Sequence, residues 1–135
     1  MTGEPAPEEG GVPAMRIGEV AARTELSLRS LRHWEDVGLL RPTGRSEGGF
    51  RLYTEADVER ILVIRRMKPL GFSLDEMSAV MRDIEALERQ DGTTDADARR
   101  RLEAVLSDAA ERRERLVRQL GMADEFLALL GERVG

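Results

Sequence analysis

The sequence predicts a mainly α-helical chain: a winged helix-turn-helix head followed by one long helix. Three observations predict it. Two short amphipathic stretches, Ile17 to Arg23 and Leu28 to about Val37, are joined by the tight link Thr24-Glu25-Leu26, the signature of a helix-turn-helix. Residues 41–53, RPTGRSEGGFRLY, then exchange helical spacing for Pro, Gly and strand-forming aromatics. From Ala98 to Leu120, apolar residues recur at 4- and 3-residue steps on an otherwise charged background.

Composition agrees. A chain of 135 residues has room for one small domain plus an extension or an oligomerisation element. Charged residues make up 35% and aromatics only 4%, which suits long solvated helices around a modest core. No apolar run approaches the ~20 residues of a membrane span. Residues 1–14 lack the basic start and apolar stretch of a signal peptide, so a cytoplasmic location is expected. The sequence has no Cys. Disulfides, thiolate metal sites and cysteine redox switches are therefore excluded. The net charge of −5 is uneven: −3 over residues 1–15, +3 over 16–72 and −5 over 73–135. Only the middle segment suits a polyanion.

Each element can be justified in order. Residues 1–14, MTGEPAPEEGGVPA, are Pro, Gly and Glu with little apolar content and are expected to form a disordered tail. The head then spans residues 15–88. Its first helix carries Ile17, Val20 and Ala21 at helical spacing. Ser27 is placed to cap the second helix. At about 100° per residue, Leu28, Leu31 and Glu35 share one side of it. Arg29, Arg32 and His33 share the other, with Ser30 and Trp34 on the flank. Leu28 and Leu31 are thus expected to anchor a helix whose outer face is cationic. Gly48-Gly49 suits a hairpin turn in a small wing carrying Arg41, Arg45 and Arg51.

Thr54 is expected to cap a helix from Glu55 to about Lys68 with Val58, Ile61, Leu62 and Ile64 or Arg65 inward, stopped by Pro69 and Gly71. Ser73-Leu74-Asp75-Glu76 reads as a capping box. It opens a helix with Leu74, Met77, Val80, Met81 and Ile84 on its apolar face. Residues 89–93 break the pattern, and Thr94 is expected to cap the long helix, 94–120. Ala98, Leu102, Val105, Ala109, Leu116 and Leu120 form its narrow seam, with Arg112 in the one gap. Such a seam is most cheaply buried by a second chain. Gly121 is expected to end the helix, leaving 121–135 as a short apolar helix or tail.

The order IGEVAARTELSLRSLRHWEDVGLLRP, GGFRLYTEADVERI and LGFSLDEM strongly resembles the MerR family of bacterial transcription regulators across residues 15–84. The resemblance implies a winged helix-turn-helix DNA-binding head and a homodimer joined by an antiparallel coiled coil. It implies binding to a pseudo-palindromic stretch of double-stranded promoter DNA, where family members distort overlong spacers so that RNA polymerase, their partner there, is blocked or helped. It places Arg29 and Ser30 at base edges in the major groove. Arg32, His33 and Trp34 stand where the family usually has Arg and two tyrosines gripping phosphates. Arg45 and Arg51 match wing contacts, Tyr53 supports the wing, and Lys68 matches a phosphate contact at a helix end. Leu102, Val105, Ala109, Arg112, Leu116 and Leu120 fall on the dimer interface.

Plainer readings stand beside these. Trp34 suits the core as well as DNA, Arg32 can pair with Glu35 or Asp36, and Arg45 and Arg51 can be ordinary turn charges. The seam can pack on its own head, and Met77 and Met81 read as core rather than ligands. Asp124 and Glu125 are adjacent on a helix and do not converge on a metal. No nucleophile-and-base set, metal cluster or phosphate-binding Gly loop points to an enzyme or a cofactor. The segment after Gly121 is too short to enclose an effector pocket within one subunit, and is expected to brace the dimer. Three function classes compete: a dimeric promoter-binding regulator, an architectural DNA-bending protein without effector, and a coiled-coil adaptor.

Overall fold

A computed structural model describes residues 14–89 and 92–135, with side chains throughout except at 92–95. The expected N-terminal tail therefore lies, Ala14 apart, outside the described residues. The chain divides into two compact units, one ending at Met67 and one beginning at Lys68.

In the first unit, α1 (Ile17–Thr24) and α2 (Leu28–Asp36) make the helix-turn-helix. The turn is sharp because Glu25 adopts a left-handed conformation, φ 59°, and its N–H returns to the Ala21 carbonyl. Ser27 caps α2 as expected, its Oγ accepting the Ser30 N–H at 3.0 Å. Gly38 ends that helix at φ 83°, a backbone conformation cheap only for glycine.

The wing follows as β1 (Gly44–Arg45) paired antiparallel with β2 (Arg51–Leu52), Gly44 opposite Leu52 and Arg45 opposite Arg51. Gly49, at φ 86°, closes the turn by donating to the Ser46 carbonyl at 2.9 Å. Met15 lies antiparallel to Tyr53, each N–H donating to the other's carbonyl at 2.7 Å. Met15 is thereby stitched to the wing.

Helix α3 (Glu55–Met67) is capped by a reciprocal box. The Asp57 N–H reaches Thr54 Oγ1 and the Thr54 N–H reaches the Asp57 carboxylate. Its inward stripe is Val58, Ile61, Ile64 and Met67; Leu62 is only half-buried. The bidentate Arg23–Glu55 pair ties α1 to α3, as does Arg65, which donates to the Thr24 carbonyl at 2.6 Å.

The second unit opens with a short 3-10 turn, Lys68–Leu70, at the expected Pro69-Gly71 stop. Helix α4 (Leu74–Arg89) begins with the capping box: the Ser73 N–H donates to Glu76 at 2.8 Å and the Glu76 N–H to Ser73 Oγ at 3.1 Å. Met77, Val80, Met81 and Ala86 are buried, whereas Leu74, expected inward, is 36% exposed. Helix α4 runs antiparallel to the first half of α5 (Gly92–Val134). Arg101 clamps Asp83 at 2.8–3.1 Å near one end. Near the other, Arg112 reaches Glu76 and the Leu70 carbonyl and stacks 4.0 Å from the Phe72 ring centre.

Two expectations are corrected here. The long helix begins at Gly92, before Thr94. It runs unbroken through Gly121 to Val134, about 65 Å in all. A glycine inside a helix costs only about 1 kcal/mol relative to Ala, and the flanking Gln119, Leu120, Met122 and Ala123 favour helix, so no stop follows. Helix α4 spends its apolar face on α5 of its own chain.

Candidate nucleic-acid interface

The outer face of α2 is built from its inner face. Leu31 is fully buried and Trp34 is 2% exposed. These two residues, three apart, fix the inward side of a helix of only nine residues. Arg29, Arg32 and His33 consequently project outward and are exposed. Among the described residues their side chains have no hydrogen-bond or ion-pair partner. Glu35 does not neutralise Arg32, because its carboxylate is taken: Arg51 Nε lies 2.8 Å from one oxygen and the Tyr53 hydroxyl donates to the other at 2.9 Å. The result is a cationic face with free donors beside a wing anchored to the same helix.

The structure settles the burial of three residues here and moves one, Leu28, from its expected place. Leu28 is 39% exposed, so Trp34 replaces it as the second anchor. Trp34, which the sequence suits to core and DNA alike, belongs to the core and offers the surface almost nothing. Tyr53 is fully buried; it holds wing to helix through Glu35 and presents no atom for contact. Burial foremost, then the Glu35 hydrogen bond, pushes its phenol pKa well above the ordinary value.

The wing residues stand differently from one another. Arg45 is exposed, and its Nη1 donates to the Gly49 carbonyl at 3.0 Å, so it braces the turn with donors to spare. Arg51 is 42% exposed while paired with Glu35, whose side chain is 9% exposed; it is a strut with an accessible edge. Ser30 is half-buried and within 3.1 Å of Ser27 Oγ. Lys68 is exposed on the 3-10 turn of the second unit.

The seam residues of α5 divide into two groups. Ala98 is buried, and Leu102, Val105, Ala109 and Arg112 are half-buried, where α4 covers this part of the helix. Arg112 bonds to Asp108 and Glu76 of its own chain, so no partner acid is needed to hold it. Leu116 and Leu120 are 40% and 62% exposed.

Sequence reasoning passed over Arg16, whose guanidinium carbon lies 4.1 Å from the centre of the exposed Phe50 ring. It also passed over Asp57, buried at 4% and bonded by the Thr43 hydroxyl; the Thr54-x-x-Asp57 spacing was the available signal. Glu35 was legible in part, since an acid sharing the side of Leu31 needs a cation. Among the described residues no helix is long and apolar enough to cross a membrane, and no three His, Asp or Glu side chains gather as metal ligands.

The family model for the MerR HTH family regulatory protein matches residues 15–84, with the head and α4 through Ile84 inside the match. The chain belongs to the MerR family. Among curated MerR-type relatives, it is 45% identical over 67 residues to an HTH-type transcriptional regulator of Pseudomonas aeruginosa, covering 50% of this chain and 51% of the relative. It is 43% identical over 67 residues to the HTH-type transcriptional regulator CueR of Vibrio cholerae, covering 50% and 48%. The matches thus span about half the length of these two relatives. Among solved structures, a MerR family transcriptional regulator from Bacillus cereus is 29% identical with a TM-score of 0.60, covering 89% of this chain and 79% of that one. HiNmlR, a MerR family regulator lacking the sensor domain and bound to promoter DNA, shares the fold at a TM-score of 0.65 and 21% identity, covering 80% and 76%.

Proposed function

We propose that this MerR-family chain is a dimeric, sequence-specific DNA-binding transcription regulator acting on a pseudo-palindromic promoter. The carrying observation is the outer face of α2: Arg29, Arg32 and His33 are exposed and unpartnered beside a wing that supplies Arg45 and Arg51. Arg29, in the first turn, reads a base edge, with Ser30 beside it. Arg32, His33, Arg45, Arg51 and, from the second unit, Lys68 hold phosphates.

Two heads on one dimer bind two half-sites and distort the DNA between them, repressing or activating according to how RNA polymerase meets it. Leu102, Val105, Ala109, Arg112, Leu116 and Leu120 of α5 lie along the dimer interface. No Cys is present, so any effector is not a metal held on thiolates within these residues.

The test is fluorescence anisotropy against DNA upstream of the chain's own gene, over a range of salt, followed by transcription from that promoter in vitro. Tight binding with a steep negative dependence on log salt supports the reading, as does transcription altered by the protein. Absence of binding at low salt refutes it. Leu102→Asp is expected to lose both the dimer and tight operator binding; a monomer that bound equally well would contradict the two-headed arrangement.

A further inference from the structure

Of the cations proposed to hold phosphates, Lys68 alone lies in the second unit. It is exposed on a 3-10 turn of only three residues. A lysine is a point charge on a flexible four-carbon stem, so where it meets a phosphate depends on how firmly its backbone is held. The turn's own hold is slight. The Gly71 N–H donates to the Lys68 carbonyl at 3.0 Å, and Pro69 has no N–H to add.

A second support comes from α5. Arg112 Nη1 donates to the Leu70 carbonyl at 3.3 Å. That carbonyl and the Gly71 N–H belong to one planar peptide group. The group therefore accepts from Arg112 at one end and closes the Lys68 turn at the other. Fixing its plane at the carbonyl fixes the direction of the N–H that Lys68 receives. The bond from Arg112 is charge-assisted, and it polarises the peptide so as to strengthen the next bond in the chain.

The guanidinium is itself held in place. Its Nε donates to Asp108 at 3.0 Å, its Nη2 to Glu76 at 3.3 Å, and its carbon lies 4.0 Å from the centre of the Phe72 ring. Three nitrogens thus serve three partners: one on α5, one in the first turn of α4 and one at the end of the 3-10 turn. A planar fork does this; a lysine ammonium does not. The backbone leaves room for it, since a Cβ on Gly71 would already lie 3.8 Å from Arg112 Nη1. These contacts also account for a charge set between Ala109 and Leu116 in an otherwise apolar seam.

We propose that Arg112 is a positioning residue for Lys68: it locks the Leu70–Gly71 peptide and so the turn from which Lys68 meets a phosphate. The proposal rests on the DNA-binding reading above, and the test separates the two. Arg112→Met keeps the aliphatic stem and removes every donor; the acids it releases, Asp108 and Glu76, are 46% and 48% exposed and hydrate. Anisotropy against salt is measured for wild type, Lys68→Ala, Arg112→Met and the double variant, at concentrations where sedimentation velocity gives each the wild-type mass. Each single variant is expected to flatten the slope of log affinity against log salt by about 0.9 per head. The double variant is expected to match the singles, because the same contact is lost only once. Amide exchange followed by NMR on the free protein gives a second readout. Arg112→Met should speed exchange at Gly71 about tenfold or more, with the buried stretch of α4 unaltered, and Lys68→Ala should not. A wild type that ignores DNA at low salt overturns both readings. A wild type that binds, with either single variant keeping its slope, overturns the proposal alone, as does a double variant whose loss is the sum of the singles. Should Arg112→Met fail to dimerise, unchanged exchange at Gly71 in that variant still overturns it.

Discussion

Removing the Tyr53 hydroxyl isolates the link between the wing and α2. Tyr53 is fully buried, and its hydroxyl donates to Glu35 at 2.9 Å. Tyr53→Phe deletes that bond but leaves the carboxylate with Arg51, 2.8 Å away. The expected cost is about 1 kcal/mol. Glu35→Ala is worse, since it strands a buried hydroxyl and releases Arg51; the penalty for such a stranded donor is about 1–3 kcal/mol. The double variant should fall short of the sum of the singles by about 1 kcal/mol, because each single change already removes the same bond.

Urea unfolding followed by Trp34 fluorescence reads this directly, since Trp34 is the one tryptophan and is 2% exposed on α2. With a slope of about 1–3 kcal/mol/M, Tyr53→Phe should lower the midpoint by roughly 0.3–1 M. All variants are compared at one protein concentration, because dimerisation would shift apparent stability. A midpoint unmoved by Tyr53→Phe, or strictly additive singles, would show that the wing is not held through this carboxylate.

Four further outcomes follow from the geometry. Arg29→Ala should cost about 1–3 kcal/mol of operator binding and relax preference at one base position, as read by binding to a panel of single-base variants. Arg32→Ala should weaken binding to all sequences alike and flatten the salt dependence by about one phosphate contact; an unaltered slope argues against a phosphate role. Gly121→Ala should raise the thermal stability of α5 by about 1 kcal/mol, since an added Cβ meets nothing within 4 Å; lower helicity by circular dichroism would indicate a hidden bend. Stability should fall at both extremes of pH. The Arg23 hydrogen bond holds Glu55 below the usual carboxylate range, and the Ser73 N–H does the same for Glu76. Their contribution is present above about pH 4.3, the unfolded value, and is lost as pH drops through the lower folded values. Tyr53 is shifted upward, so its contribution is lost as pH climbs past about 10. Urea midpoints across pH check both limbs, and Glu76→Gln should blunt the acid limb.

The helix-turn-helix was legible because its signals are local. Ser27 caps α2 through a bond that spans three residues. The Ser73–Glu76 box works the same way, and turn glycines mark their own positions. The cationic face of α2 was legible for the same reason, since periodicity alone groups Arg29, Arg32 and His33. Trp34 was not decidable, because a flank residue is core or surface according to what is packed beside it. The Met15–Tyr53 pairing joins residues far apart in the chain, and no local pattern announces it.

Local chemistry in the sequence alone determined which helices form, where most of them begin and end, and which face of α2 carries its charge. Those outcomes depend on contacts within a turn or two of the chain. Tertiary structure decided which partner each face takes. It sent Trp34 and Tyr53 inward, gave Glu35 to Arg51 and drew Arg112 onto Phe72. Those choices turn on side chains distant in sequence competing for the same space, whereas α5 passes Gly121 on local grounds, a glycine penalty of about 1 kcal/mol being too small to halt a helix whose neighbours favour continuing.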